Sequence, residues 1–420
     1  MSQIKSLRTG IKFKDTPIGK IPVDWEVTKL GDVATAFQNG GTPDTKIKEY
    51  WGGDIPWITG ADLINQRVGQ TRKYITPEGV KNSATSIVPK GSLLVVTRTG
   101  VGKLAIAPFD IAISQDISGV IPDKQKSLPN FLFWNLNYNE KKLKALKQGT
   151  SINGILREDL SSLLISLPPL PEQKKIAEIL TTVDDAIEET DRIIEKTKEL
   201  KKGLMQKLLT CGIGHKKFKR TEIGEIPEDW EVGKISDYGE IVTGSTPSTL
   251  VKEYYGNDFP FVSPFDLGKA KVIIKTEKYI SKEGASVARM LPANTILFVC
   301  IGSTIGKTGV AGVQLATNQQ INAIICEGSD FNFVYYYLSF ISDKIKQIAG
   351  TQAVPIVNKS LFSNVLVVVP RLKEQQEIGK ILSSVDTELE DEENHKHTLE
   401  SLKKSLMQIL LTGKVRVKFH

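Results

Sequence analysis

The sequence predicts an α+β protein built twice: two globular domains related by a pseudo-twofold axis and separated by two long antiparallel coiled-coil helices. Three observations carry this. Residues 12–27, KFKDTPIGKIPVDWEV, and residues 217–232, KFKRTEIGEIPEDWEV, agree at 12 of 16 positions, and the match recurs at nearly the same offset along the chain. Each copy opens with short β-branched runs punctuated by Gly and Pro, which read as strands and turns. Each copy closes on an uninterrupted stretch whose apolar residues alternate spacings of four and three, the signature of a long helix with a coiled-coil seam.

The elements follow in order. Residues 1–168 form the first globular domain, with a Gly40-Gly41-Thr42-Pro43 turn, a strand at 93–97 and a helix over 131–148. Residues 169–212 form the first long helix. It opens after Pro168-Pro169-Leu170-Pro171, where a proline's missing N–H has no helical partner to lose, and Glu172 sits in the first turn, where the helix dipole favours acids. Ile176, Leu180, Val183, Ile187, Thr190, Ile194, Thr197, Lys201, Leu204 and Leu208 lie on its seam, and the polar mid-helix members are placed to fix register. At 1.5 Å per residue such a helix is a rod of about 60 Å. Residues 213–370 repeat the globular domain, with strands at 295–299 and 365–369 and a helix over 331–349. Residues 371–413 repeat the long helix, with Ile378, Leu382, Val385, Leu389, Glu392, Lys396, Leu399, Lys403, Leu406 and Leu410 on its seam. Residues 414–420 reach Lys418-Phe419 where the KFK of a next repeat would start, so this tail is expected beside the N-terminal segment.

Composition narrows the function. At 420 residues, 40% hydrophobic and 25% charged, the chain can bury two cores and reads as a globular protein. No apolar run reaches membrane-spanning length and no signal peptide is visible, so a cytoplasmic protein without a membrane role is expected. Cys211, Cys300 and Cys326 show no metal-ligand spacing and read as reduced thiols. The net charge of +7 hides an asymmetry. Residues 184–199 carry seven acids against three bases, and residues 386–393 carry six acids and no base. The rest of the chain is correspondingly basic, which suits a polyanionic partner or a Lys-rich solvated surface equally well.

A duplicated catalyst should show paired catalytic residues, and none are found. Gly302-Ser303-Thr304-Ile305-Gly306-Lys307-Thr308 is one residue short of a phosphate loop, and its twin Gly100-Val101-Gly102-Lys103 ends in Leu104 where a magnesium ligand would stand. Both read better as glycine turns between strands. The four histidines have no twins in the other copy, and His395 and His397 fall on different helix faces rather than around one metal. No catalytic residue, metal site or bound cofactor is therefore assigned.

What remains is recognition equipment. Thr97-Arg98-Thr99-Gly100 corresponds to Ile301-Gly302-Ser303-Thr304, and Ser114-Gln115-Asp116 to Asn318-Gln319-Gln320. Arg and Gln are the side chains whose two-pronged geometry matches guanine and adenine edges in the major groove. Lys103 and Lys307, beside small glycines, are placed to meet phosphates. Thr97, Arg98, Lys103, Gln115, Ser303, Lys307, Gln319 and Gln320 are thus candidate DNA-binding residues, although any one of them taken singly reads more readily as a surface or turn-capping group. Trp25 and Trp230, at the same place in both copies, read as core anchors.

The order of these motifs resembles the DNA-specificity subunit of type I restriction–modification enzymes over essentially the whole chain. The matching features are the turns Gly41-Thr42-Pro43 and Ser245-Thr246-Pro247, the segments ending in Lys103 and Lys307, Gln115 and Gln319, Gly149-Thr150 and Gly350-Thr351, and the helix starts Glu172-Gln173 and Glu374-Gln375. The resemblance adds Thr42 and Thr246 to the DNA-binding candidates and makes Glu172, Gln173, Glu374 and Gln375 partner-binding candidates. It implies that each globular half is a target recognition domain for one half of a bipartite double-stranded DNA site, the half-sites lying about one duplex turn, or ~34 Å, apart. It implies two methyltransferase subunits docked on the helices and a restriction endonuclease/translocase beyond them, with S-adenosylmethionine, ATP and magnesium held by those partners. Divergence between the copies at their reading loops implies an asymmetric target. The competing reading is a tandem-domain adaptor that binds protein, and a flat response of DNA binding to salt would favour it.

Overall fold

A computed structural model describes residues 12–64, 66–146, 154–350 and 354–417. Gly149-Thr150, Thr351 and Lys418-Phe419 lie outside the described residues. The chain divides into two compact units, residues 1–190 with 395–420, and residues 191–394. The boundary thus runs through both long helices, so each helix contributes one part to each unit.

In the first unit the strands that build the core are β1 (Ala34–Asn39), β2 (Trp51–Ile58), β3 (Leu93–Val96), β4 (Leu104–Ile106), β5 (Ile111–Ile113) and β6 (Ile117–Pro122). One antiparallel sheet has the order β4-β3-β6-β1. A second places β2 and β5 side by side and parallel, flanked by strands Lys73–Ile75 and Ser86–Val88. The run Leu93–Val96 explains the layering. Successive side chains point to opposite faces, and both faces are covered: Leu93 and Val95 join a core with Trp25, Phe131 and Trp134, while Leu94 and Val96 join one with Ile58, Ile111 and Ile113.

The second unit repeats this. Its strands are β7 (Gly239–Thr243), β8 (Tyr255–Val262), β9 (Ile296–Val299), β10 (Thr308–Ala311), β11 (Leu315–Thr317) and β12 (Ile321–Cys326). The first sheet runs β7-β12-β9-β10 and adds Val272–Ile273 at its edge; β8 and β11 pair in parallel in the second. Ile296 and Phe298 face the core containing Trp230 and Phe333, and Leu297 and Val299 face the core containing Val262 and Leu315. Trp25 and Trp230 are fully buried core anchors, as expected.

The single helices expected over 131–148 and 331–349 are each broken in two, into Pro129–Tyr138 and Glu140–Ala145, and into Phe331–Phe340 and Ser342–Ile348. At the first break Asn139 leaves helical geometry (φ −92°, ψ 19°), and its side-chain Nδ2 donates to the carbonyl of Asn135 at 2.9 Å. At the second, Ile341 takes the same geometry (φ −92°, ψ 6°). The apolar periodicity continues across both breaks, which is why the sequence reads as one helix.

The long helices run Leu170–Cys211 and Leu372–Leu410, 42 and 39 residues. In each unit their segments run antiparallel. In the first, Glu172 meets Arg416 and Asp184 meets Lys403 at 2.5 Å; in the second, Glu374 meets His215 and Asp386 meets Lys201. Lys201 and Lys403 are two of the polar seam positions, and their ion pairs suit the fixing of register. The apolar seam serves both packing modes: Ile176, Leu180 and Leu410 enter the core of the first unit, and Ile378, Leu382 and Leu208 that of the second.

Candidate nucleic-acid interface

Strand register brings the candidate residues of each unit to one end of its sheets. In the first unit Val96 pairs with Ile117, Ser118 with Asn39, and Ile113 with Ile58. The chain ends of β1, β2, β3 and β5 and the starts of β4 and β6 therefore share one edge. Four loops rise there: 40–47, the segment from Thr59, 97–103 and 114–116. They are tied together through backbone hydrogen bonds, Gly41 N–H to Ile113 O (3.0 Å), Ser114 N–H to Ile58 O (2.9 Å) and Thr97 N–H to Asp116 O (2.8 Å). The second unit repeats the arrangement with loops 244–251, 263–271, 300–307 and 318–320, joined by Gly244 N–H to Ile321 O (3.0 Å) and Cys300 N–H to Gln320 O (2.8 Å).

Gly40 shows why the first loop is glycine-rich. A Cβ there would fall onto the carbonyls of Ile113 and Ser114, and one on its twin Gly244 onto the Asn318 carbonyl and the Thr317 hydroxyl. Only a residue without a side chain lets the two loops approach so closely.

Four of the candidates form two matched pairs. Thr42 Oγ1 donates to Gln115 Oε1 at 2.5 Å, and Thr246 Oγ1 donates to Gln319 Oε1 at 2.6 Å; all four residues are exposed. An amide oxygen has two acceptor sites, so a Gln that accepts from Thr can still accept once more and donate twice. That is the pattern needed to hold the N6 and N7 edge of adenine. Each Thr thus holds the amide oxygen of its Gln and leaves the rest of the amide free of that bond.

The remaining candidates divide. Arg98 and Ser303 are exposed at the tips of the glycine turns, where Gly100, Gly102, Gly302 and Gly306 adopt φ of +90°, +99°, +91° and +98°. Strand–turn–strand is the arrangement in both copies, not a phosphate loop. Thr97 is buried at 5% exposure, its hydroxyl donating to the Asp116 carbonyl at 3.4 Å and its own carbonyl accepting from the Ile155 N–H at 2.8 Å, so its side chain is not presented at the loop tip as the sequence suggested. Gln320 accepts from Asn318 Nδ2 at 3.0 Å and is half-buried. Lys103 Nζ donates to the carbonyls of Gly60 (3.3 Å) and Leu63 (3.2 Å), and Lys307 Nζ to that of Pro264 (3.3 Å). These ammonium groups brace the neighbouring loop, a role that the sequence did not suggest.

That loop holds the pair of residues the sequence reading missed. Asp62 accepts from Thr59 N–H (2.8 Å) and Thr59 Oγ1 (2.9 Å), and Asp266 accepts from Ser263 N–H and Ser263 Oγ, both at 2.8 Å. Burial would raise the Asp62 carboxyl, yet the hydrogen bonds from Arg72 and Thr59 hold it below the usual carboxylate range. The signal was present as a hydroxyl residue followed three positions later by Asp at the end of the parallel strand, a local cap.

The helix starts need a correction. Glu172 and Gln173 have no exposed surface and Gln375 has 2%. Glu172 accepts from Trp25 Nε1 (3.0 Å) and from Arg416 Nε and Nη2 (both 2.6 Å), and Glu374 accepts from Trp230 Nε1, His215 Nε2 and the Ile213 N–H, all at 2.9 Å. Gln173 bridges the Leu128 N–H and the carbonyls of Lys126 and Pro168, and Gln375 bridges the Asp330 N–H and the Pro370 carbonyl. These side chains fasten each helix start to its own unit. The repeated Glu-Gln motif records a fold constraint.

A family model described as type I restriction modification DNA specificity domain matches residues 22–199 and again 227–401. A putative type I restriction enzyme MjaX specificity subunit from Methanocaldococcus jannaschii is 32% identical over 429 residues, covering 97% of each chain. The MjaVIII specificity subunit of the same organism is 30% identical, covering 97% of this chain and 96% of that one. Among solved structures, the S subunit of a type I restriction-modification system from M. genitalium superposes with a TM-score of 0.62 at 15% identity, covering 96% and 99% of the two chains, a likeness of fold.

Proposed function

The chain belongs to the type I restriction–modification DNA specificity family, and from that premise we propose how its two units divide the reading of a target. It is a non-catalytic specificity subunit that binds DNA and assembles with modification and restriction subunits. The relatives give the tandem-adaptor reading no support.

Each unit reads one half of a bipartite site with the loops at its sheet end. The observation that carries this is the matched Thr–Gln pair, Thr42–Gln115 and Thr246–Gln319, exposed at the same end of the same topology in both units. The two half-sites differ in sequence. Arg98 stands where the second unit has Gly302, and the residue after each Gln is Asp116 in one unit and Gln320 in the other. An asymmetric target follows, with guanine at a position read by Arg98 in the first half only.

Two methyltransferase subunits dock on the acidic stretches 184–199 and 386–393, which repel DNA and suit a basic protein surface. S-adenosylmethionine, ATP and magnesium are supplied to the assembly by those partners and by the endonuclease subunit. The complex works in the cytoplasm; three free thiols suit a reducing compartment, and no helix among the described residues is long and apolar enough to cross a membrane.

The deciding experiment expresses the chain with its neighbouring methyltransferase and maps methyladenine genome-wide. One split, asymmetric motif that disappears without this chain is expected. Methylation indifferent to the chain would overturn the assignment.

A further inference from the structure

The loop after the parallel strand carries, in each unit, a cation that reaches the long helix. Residues 59–68, TGADLINQRV, correspond to 263–272, SPFDLGKAKV, so Arg67 and Lys271 are twins. Arg67 pairs with Asp185 at 2.6 Å and Glu188 at 2.8 Å, both on the first long helix. Lys271 donates to Ser383 Oγ on the second long helix (2.9 Å), to Tyr336 OH (2.9 Å) and to Asn332 Oδ1 (2.8 Å), and the Tyr336 hydroxyl continues to Asp386 at 2.5 Å. Three acceptors saturate an ammonium. The ring of Tyr336 lies 4.4 Å from the same nitrogen.

Loop 263–271 is thereby pinned at both ends by ammonium groups, Lys307 at the Pro264 carbonyl and Lys271 at the helix. Between the pins lie Phe265, 61% exposed, and Gly268 at φ +85°. In the first unit Lys103 and Arg67 bracket the equivalent loop. The two brackets differ in strength. The Arg67 and Asp185 side chains are 49% and 57% exposed, so water and salt screen their pair, whereas Lys271 is half-buried with every donor engaged.

We propose that Lys271, and more weakly its twin Arg67, are positioning residues for DNA reading, each registering the loop beside the Thr–Gln pair against the long helix. The proposal rests on the assignment of the loop ends as the DNA-reading face. It makes the long helix part of the reading head: a base contact made by the loop depends on a helix contact that touches no base.

The test uses the full chain in complex with its methyltransferase, acting on duplexes that carry the motif the complex methylates and on single-base variants of each half. Lys271→Met keeps the stem and removes the charge. It is expected to lower kcat/KM on the cognate duplex by roughly tenfold or more, as for loss of hydrogen bonds to a charged group. Discrimination should be lost in the second half-site alone, with the first half-site and co-purification unchanged. Tyr336→Phe, which removes one of the three Lys271 acceptors together with its link to Asp386, should give the same half-site-selective loss in smaller measure. Arg67→Glu should weaken the first half-site mildly and leave the second unchanged. Equal loss at both half-sites, or no loss at either, overturns the proposal. Gln319→Ala separates this from the underlying assignment. If Gln319→Ala leaves the second half-site intact, the reading face is misplaced; if Gln319→Ala is damaging and Lys271→Met silent, the positioning role alone is wrong.

Discussion

The Thr42 hydroxyl donates to the Gln115 amide oxygen, and the Thr246 hydroxyl does the same to Gln319. A hydrogen bond of this kind is worth about 1 kcal/mol net, but its main effect is on orientation, since a free Gln side chain loses rotamer entropy when it binds. Thr42→Val keeps the shape and removes the donor. It is expected to weaken methylation of the cognate site by roughly fivefold, about 1 kcal/mol, through the first half-site only, and Thr246→Val through the second. Kinetics on duplexes with single-base changes in each half check this; an effect spread over both halves would contradict it.

Arg98 and Lys103 lie on one glycine turn and should respond differently to salt. Arg98 is exposed at the tip, whereas the Lys103 ammonium is held by two carbonyls of its own unit. Arg98→Ala is expected to relax specificity at one base pair. Lys103→Met is expected to lower affinity with little change in the slope of log K against log salt, because each phosphate contact contributes a slope of about 0.9 and Lys103 makes its bonds within the protein. Titrations at several salt concentrations distinguish the two.

Arg416→Ala removes the cation from a carboxylate, Glu172, that has no exposed surface. Breaking a buried pair on one side costs about 3 kcal/mol or more, and a thermal or urea melt should show the first unit losing that stability. The same arginine, by its hydrogen bond, holds the half-exposed Asp24 carboxyl below its ordinary value. A lowered carboxylate pKa stabilises the fold above the usual carboxylate range, and the contribution is lost as pH falls through the lowered value. The part of the difference between wild type and Arg416→Ala that Asp24 carries should therefore fade towards the acid end.

The three thiols should label unequally. Burial pushes Cys300 and Cys326 each up to about 12, so at pH 8 neither carries appreciable thiolate, while Cys211 is exposed at the end of the first long helix. One equivalent of a disulfide reagent should react quickly with native protein and two more only on unfolding. Fast reaction of all three would place Cys300 and Cys326 outside the core.

The duplication, the strand runs and the extents of the long helices were legible because each is a pattern of period: a long repeat, alternation at Leu93–Val96, and heptads without proline. The partners of Glu172 and Gln173 were not. A Glu-Gln at a helix start reads equally well as an exposed dipole partner, and only tertiary structure brings in Trp25 and Arg416. Thr97 was misread for a related reason, since position on a turn does not say which way a side chain points. Lys103 lay at the expected turn, but nothing local reveals that the carbonyls of Gly60 and Leu63 come within its reach.

Arg416 is made 392 residues after the Asp24 it binds, and the whole of the second unit, residues 191–394, is made in between. During synthesis the second unit can complete itself from a continuous stretch of chain. The first must wait with Trp25 and Glu172 in place but their arginine missing, until the segment after the second long helix emerges. The order of completion is thus the reverse of the order of translation, and a ribosome that stalls before residue 395 leaves one finished reader and one unfinished.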